Sequence, residues 1–279
     1  MEARRCRYDP CGERPGLLRR RADGFLLDGE WYCGERCLLA QAALNLERFT
    51  RAPATVDGFI ARPKMTLFLL DAGAVTRAQI DYAARAMEHA GHGTLAGWLI
   101  QLGFTSEREV TRALCRQYGM PHVDLSHGQV QRAVLDMVPA AFAAAGRVFP
   151  LDYNGEKRDL TVAFGGHIEW AVTRVLAKML ECSVTSMIGD ESGVVEAIAG
   201  HYSVPIGAYE TPTAKPLVQG FQTAALAELV LEGARRFATH RLRFESYNQF
   251  LWIRYLLPDR GENFVIDLAQ GPGVEYKMG

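Results

Sequence analysis

The sequence predicts an α+β protein assembled from several unlike pieces. Three observations carry that reading. Residues 64 to 117 hold one helical phrase twice, thirty residues apart. Beyond residue 118 the apolar pattern switches between strand and helix periods. Four of the six cysteines fall within the first 37 residues, a clustering that suits a metal better than a disulfide framework.

A chain of 279 residues is long enough for two or three domains with cores of their own. A 48% hydrophobic and 23% charged composition is ordinary for a globular protein. The formal net charge of −1 supplies no global field for nucleic acid or for a membrane surface. The first residues are Arg-rich and contain no apolar stretch of the secretory type. No run approaches the roughly 20 apolar residues of a membrane helix. A cytoplasmic protein is the expectation.

Residues 1–50 form the first expected piece, a four-Cys zinc-binding segment. Cys6 and Cys11 make one pair, Cys33 and Cys37 another. Thiolates suit zinc, a borderline-soft ion that accepts tetrahedral sulfur. The phrase from Asp28 to Cys37 is similar to the second half of treble-clef and zinc-ribbon sites, in which a hairpin ends at a knuckle and the last Cys opens a helix. A closed four-Cys set leaves no position for water, so the expected role is structural. Such a short piece has little core and needs a staple. The bland alternative is four reduced thiols in a disordered arm. Arg19, Arg20 and Arg21 read as a solvated run balanced by Asp23, Asp28 and Glu30.

Residues 51–63 read as a linker, and 64–202 as the central body. In each copy of the helical phrase a short apolar helix is stopped by Gly, at Gly73 and at Gly103, and a new helix then starts. Thr76 with Gln79 and Ser106 with Glu109 read as capping boxes. Beyond the repeat come expected strands at His122–Leu125, Val148–Leu151, Leu160–Phe164 and Ser183–Met187. Helices are expected over 130–137, 139–145, 168–180 and 191–202. Asn154-Gly155 reads as a hairpin turn. Residues 203–220 read as a second linker. The last piece, 221–279, is a small α/β domain: an amphipathic helix over 222–239, three strands, and a frayed tail from Gly271.

Taken together, 64–202 resembles the MshEN-type N-terminal domain of type II secretion and type IV pilus assembly ATPases. That family carries two copies of Arg-Leu-Gly-x-x-Leu-x3-Gly-x6-Leu-x3-Leu-x2-Gln. Span 64–117 matches the doubled motif in length without a gap. The phrase Gly119-Met-Pro-His-Val-Asp-Leu125 matches the family's introduction to its α/β half. Many members bind cyclic di-GMP through the doubled motif. Here the polar positions depart. Lys64 stands for the first Arg, Thr66 for the close-approach Gly and Met87 for the first Gln; Thr94 and Ala96 replace Arg and Gly in the second copy. Leu95, Leu99, Gly103, Val110, Leu114 and Gln117 remain compatible. The resemblance therefore implies a retained frame whose nucleotide-reading groups are mostly lost. If binding persists, Lys64, Leu69, Leu95, Leu99 and Gln117 are the nucleotide-binding positions it points to.

Residues 224–256 resemble the next domain of those ATPases, in register at Ala238, Glu245, Tyr247, Arg254 and Tyr255. Arg241, Arg243 and Arg254 are expected to be exposed strand residues. The sequence contains no Gly-x4-Gly-Lys-Ser/Thr phosphate loop. The histidines are scattered and no acid–base pair assembles, so no enzyme is expected. Cys115 lies beside Arg112 and Arg116, which would lower its pKa if it were not buried. The function expected is that of an adaptor or regulator acting by protein–protein contact near a secretion or pilus machine. The alternative is a cyclic di-GMP sensor. A zinc head that binds nucleic acid is the weakest possibility.

Overall fold

The computed structural model describes residues 5–11, 24–51, 64–126, 130–202, 223–268 and 275–277. Most of both expected linkers, the arginine run 19–21 and His127 lie outside the described residues. The chain divides into two compact units. One comprises 1–56, 174–181 and 211–279; the other comprises 57–173 and 182–210.

The second unit begins with the doubled phrase. Helices α2 (Lys64–Asp71) and α3 (Arg77–Ala90) form the first copy, α4 (Leu95–Gln101) and α5 (Glu107–Tyr118) the second. The two copies end their first helices identically. Gly73 (φ 66°) and Gly103 (φ 69°) are left-handed. Ala74 N donates to Leu69 O at 2.9 Å and Gly73 N to Leu70 O at 3.0 Å. Phe104 N to Leu99 O (3.0 Å) and Gly103 N to Ile100 O (2.9 Å) repeat the pattern. This is the Schellman arrangement, which satisfies carbonyls that a helix end would leave bare. Both capping boxes form. Thr76 N donates to Gln79 Oε1 at 2.8 Å, and Ser106 N donates to Glu109 Oε2 at 2.9 Å. The copies then exchange partners: α2 packs on α5 and α3 on α4. Leu69, Val75, Ala83, Leu99, Val110 and Leu114 are buried between them.

The α/β half follows. Short helices α6 (Arg132–Leu135) and α7 (Ala140–Ala145) precede strands β3 (Val148–Asn154) and β4 (Asp159–Gly165). Helix α8 (Trp170–Leu180), whose residues from 174 onward belong to the first unit, leads to β5 (Ser183–Gly189), and α9 (Glu191–Tyr202) closes the series. The sheet order is β3-β4-β5, with β3–β4 antiparallel and β4–β5 parallel. A hairpin joins β3 and β4 as expected, but its turn is residues 155–158 with Arg158 left-handed rather than Asn154-Gly155, and Asn154 Oδ1 braces it by accepting from Lys157 N at 3.0 Å. Helices α6, α7 and α9 pack on this sheet; Phe149 meets His201 and Tyr202 of α9, and Val162, Phe164 and Ile188, which the register places on the opposite face, are buried as well. The strand expected at His122–Leu125 is only a bridge from His122 to Ile188. The chain leaves the edge at once because Asp124 Oδ1 accepts from Ser126 N and Oγ at 2.9 and 2.6 Å, making a local turn.

The first unit corrects the expected division into separate N- and C-terminal pieces. Strands β1 (Phe25–Leu27) and β2 (Glu30–Tyr32) form a hairpin, and α1 (Glu35–Arg51) follows. The C-terminal piece supplies α10 (Thr223–Arg236), β6 (Arg241–Tyr247), β7 (Phe250–Leu256), β8 (Gly261–Asp267) and β9 (Glu275–Lys277). Together the strands make one six-stranded sheet, ordered β2-β1-β6-β7-β8-β9. Strand β1 runs parallel to β6, with Leu26 opposite Arg241 and Leu27 opposite Leu242. Leu38, Ala42 and Leu46 of α1 share one apolar core with Leu226, Val230 and Ala234 of α10 and with Phe244, Leu251 and Ile253 of the sheet. The N-terminal segment is therefore part of a larger core rather than a head of its own. Part of the expected frayed tail is strand β9, which pairs antiparallel with β8.

Candidate metal centre and doubled helical frame

The four N-terminal cysteines converge. Cys6 precedes a tight turn in which Cys11 N donates to Tyr8 O at 2.9 Å. Arg7 N donates to Trp31 O at 3.0 Å, which lays that stretch along the hairpin. Cys33 follows β2 directly, and Cys37 lies in the first turn of α1. One sulfur from each residue lies within 4.8 Å of the other three. The Cys11–Cys33 and Cys33–Cys37 sulfur distances are both 3.5 Å. Tetrahedral zinc with Zn–S of about 2.3 Å needs sulfurs about 3.8 Å apart, so the donor set fits such an ion in number, type and spacing. Cys6 and Cys37 are buried. Burial foremost, and the adjoining thiols after it, pushes the Cys33 thiol far above its ordinary value; burial pushes Cys37 up to about 11. Four thiolates crowded here require a cation to offset their charge, and a coordinated thiol gives up its proton.

Beside the cluster lies a groove of about 420 Å³ whose lining includes Arg5, Arg7, Asp9, Glu30 and Trp31. Its charges are of both signs, so it favours neither anions nor cations.

The doubled frame places its expected ligand positions unevenly. Lys64 opens α2. Leu69 and Leu99 are buried to 1% and 0% exposure, inside the frame's own core. Leu95 and Gln117 are half-buried. Gln117 Oε1 is buried with no hydrogen-bond partner among the described residues. Thr66, at a position where the resembled motif has Gly, is buried.

Two contacts in the frame have no signal in the phrase itself. Arg116 of α5 lies with its guanidinium 4.9 Å from the centre of the Phe68 ring on α2, and donates to Asp71 at 3.1 Å. Glu107 caps α9: its carboxylate accepts from Ser192 N at 2.7 Å and from Ser192 Oγ at 2.6 Å. An acidic group at a helix N-terminus answers both its bare amides and its dipole. Such partners are far apart in sequence and show no periodicity.

Cys115 is not activated. Burial, with Asp190 as the lesser cause, raises its pKa. Arg243 and Arg254 are half-buried, not exposed as expected; Arg254 Nη1 donates to Asn263 Oδ1 at 2.7 Å. No helix among the described residues is long and apolar enough to cross a membrane.

No protein-family model matches the chain. The type IV pilus assembly ATPase PilB of Thermus thermophilus is 26% identical over 164 residues, 59% of this chain. That match spans only 18% of PilB. The structure of MshE with cdg (cyclic di-GMP) is 25% identical, with a TM-score of 0.44, and covers 50% of this chain and 100% of that one. The N-terminal domain of XpsE is 17% identical, with a TM-score of 0.40, over 48% of this chain and 91% of that one. The chain is thus similar over 59% of its length to part of a type IV pilus assembly ATPase, and over about half of it to MshE and to the N-terminal domain of XpsE.

Proposed function

We propose that this protein is a non-catalytic adaptor or regulator, cytoplasmic, that works by protein–protein contact with a component of a secretion or pilus machine. One observation carries the reading. The doubled frame keeps both Schellman ends and both capping boxes, while Thr66, Thr94 and Ala96 stand where the resembled motif has Gly, Arg and Gly. Arg is the side chain that forks onto guanine or phosphate, and a Cβ or hydroxyl obstructs close approach of a ligand to backbone. A frame that keeps its packing and loses those groups is suited to presenting a surface. Leu67 on α2 and Tyr82 on α3 supply exposed apolar area for it. Nucleic acid is not a partner in this reading. The four-Cys set holds a structural zinc.

The second reading, a cyclic di-GMP sensor, is favoured by the unpaired oxygen of Gln117, which a nucleotide amino group would satisfy. Calorimetric titration of the full chain with cyclic di-GMP separates the two. The adaptor reading expects no heat at millimolar ligand. Saturable heat that is lost in both Lys64→Ala and Gln117→Ala would replace it with the sensor reading. Photo-cross-linkers at Leu67 and Tyr82, tested against purified platform and motor proteins of such a machine, check the contact itself. Failure of both positions to cross-link any of them sinks the adaptor reading.

A further inference from the structure

The zinc cluster stands where two distant parts of the chain share a core. Cys6 and Cys37 belong to the same buried cluster as Leu226, Val230, Leu242, Phe244 and Tyr255. The elements that carry the cysteines have little to hold them by themselves. Strands β1 and β2 are three residues each, and an isolated hairpin of that size is not stable in water. The described pairing of β1 to β6 covers two residue positions. Residues 5–11 are tied back to the hairpin by the backbone bond from Arg7 to Trp31 noted above.

Helix α1 links this small assembly to everything else. Its first turn holds Cys37, and the next residue, Leu38, is fully buried. Leu38, Ala42 and Leu46 follow at intervals of four and put one stripe into the core. That stripe packs on α10, and Phe49 meets Phe244 of β6 edge-on at 5.9 Å. The outer contact is weaker: Glu35 pairs with Arg235, Nε to Oε1 at 3.0 Å, with both side chains about half exposed. Without α1, the face that α10 turns to it would lose its apolar cover.

We infer that the zinc held by Cys6, Cys11, Cys33 and Cys37 governs the folding of the whole first unit, α10 and β6–β8 included, and not only the segment that supplies its ligands. The inference rests on the structural-zinc reading above. Metal binding to a site absent from the unfolded chain is folding free energy. That energy reaches any element whose core closes only when the liganded segment is in place.

The test is zinc quantification on the full chain, followed by amide hydrogen exchange with and without a high-affinity zinc chelator. Amides of β3–β5 are the internal reference. The expected result is one zinc per chain. Withdrawal of zinc held at about 100 times its dissociation constant should then lower protection in α10 and β6–β7 by about 100-fold. Zinc present, but with lost protection confined to residues 5–51, overturns the inference and leaves the zinc reading standing. No zinc in protein purified without chelator overturns both. Because Cys33→Ser can fail to accumulate, chelation of the natural chain is the primary arm. The substitution is the second, expected to reproduce the loss in α10.

Discussion

Tyr255 of β7 donates to the backbone oxygen of Val230 on α10 at 3.1 Å, and Gly233, one turn further along that helix, makes room for its ring. A Cβ at Gly233 would lie 2.1 Å from the Tyr255 hydroxyl oxygen. Tyr255 is itself buried, so it has nowhere to retreat. Two opposing magnitudes decide the outcome of Gly233→Ala. Helix propensity favours Ala by about 1 kcal/mol. Overpacking a filled core costs about 1–3 kcal/mol. The net expectation is a loss, read as a lower denaturation midpoint in urea. Gly233→Ala combined with Tyr255→Phe should not recover it, since the ring carbon Cζ would still lie 2.3 Å from the added Cβ and the bond to Val230 is lost as well.

The twin capping boxes should behave alike toward mutation and differently toward acid. Thr76→Ala and Ser106→Ala are each expected to cost about 1 kcal/mol. Glu109 and Gln79 differ in that only the former titrates. Backbone donation from Ser106, with the Thr105 and Ser106 hydroxyls next, holds the Glu109 carboxyl below its ordinary value. A depressed folded-state pKa contributes stability above the unfolded value, about 4.3, and that contribution disappears as pH falls through the folded one. Replacing Glu109 by Gln should therefore flatten the acid limb of the stability curve below about pH 4.3. A limb of unchanged slope would show that the box does not contribute.

Gln117 offers a trade between stability and ligand. Its buried oxygen lacks a partner, and an unmet acceptor costs about 1–3 kcal/mol. An apolar replacement of similar length removes that cost. Gln117→Met is expected to raise Tm in nucleotide-free buffer. If cyclic di-GMP binds the natural chain, the same change should abolish the binding and the thermal shift that accompanies it.

Cobalt substitution tests the ligand set independently of stability. Co(II) bound by four thiolates in a tetrahedron gives strong visible d–d bands and sulfur-to-metal charge transfer. The natural chain should show both, and Cys11→Ser should weaken the charge-transfer absorption while keeping a tetrahedral spectrum. A pale octahedral spectrum for the natural chain would mean that the sulfurs do not bind the ion.

The repeat was legible because its signals are local. A capping box spans four residues, and a Gly end needs only the preceding turn. Thr76, Gln79, Gly73 and their counterparts could thus be placed from the sequence, as could the convergence of Cys33 and Cys37 across one knuckle. The union of 24–51 with 223–268 was not legible. Strand β1 has three residues, too few for a period, and its partner lies at Leu242. The apolar stripe of α1 announces that something covers it without naming α10. Burial of Arg254 was missed for a related reason: its partner Asn263 sits on the next strand, opposite it in register, and nothing in either residue type signals the pairing.

The β1–β6 pairing also sets a schedule. Leu27 must wait for Leu242 to be synthesised before its edge is covered. Domains fold as units during synthesis, earliest portions first, at roughly 5–20 residues per second. The doubled frame and its small sheet can fold while the opening hairpin is still unpartnered, for on the order of ten seconds or more at those rates. During that interval the nascent chain carries an open strand edge and a bare greasy helix stripe, the combination that attracts chaperones or aggregates. Ribosome stalling near residue 202 should therefore yield a product that is soluble only with a holdase bound to its opening fifty residues.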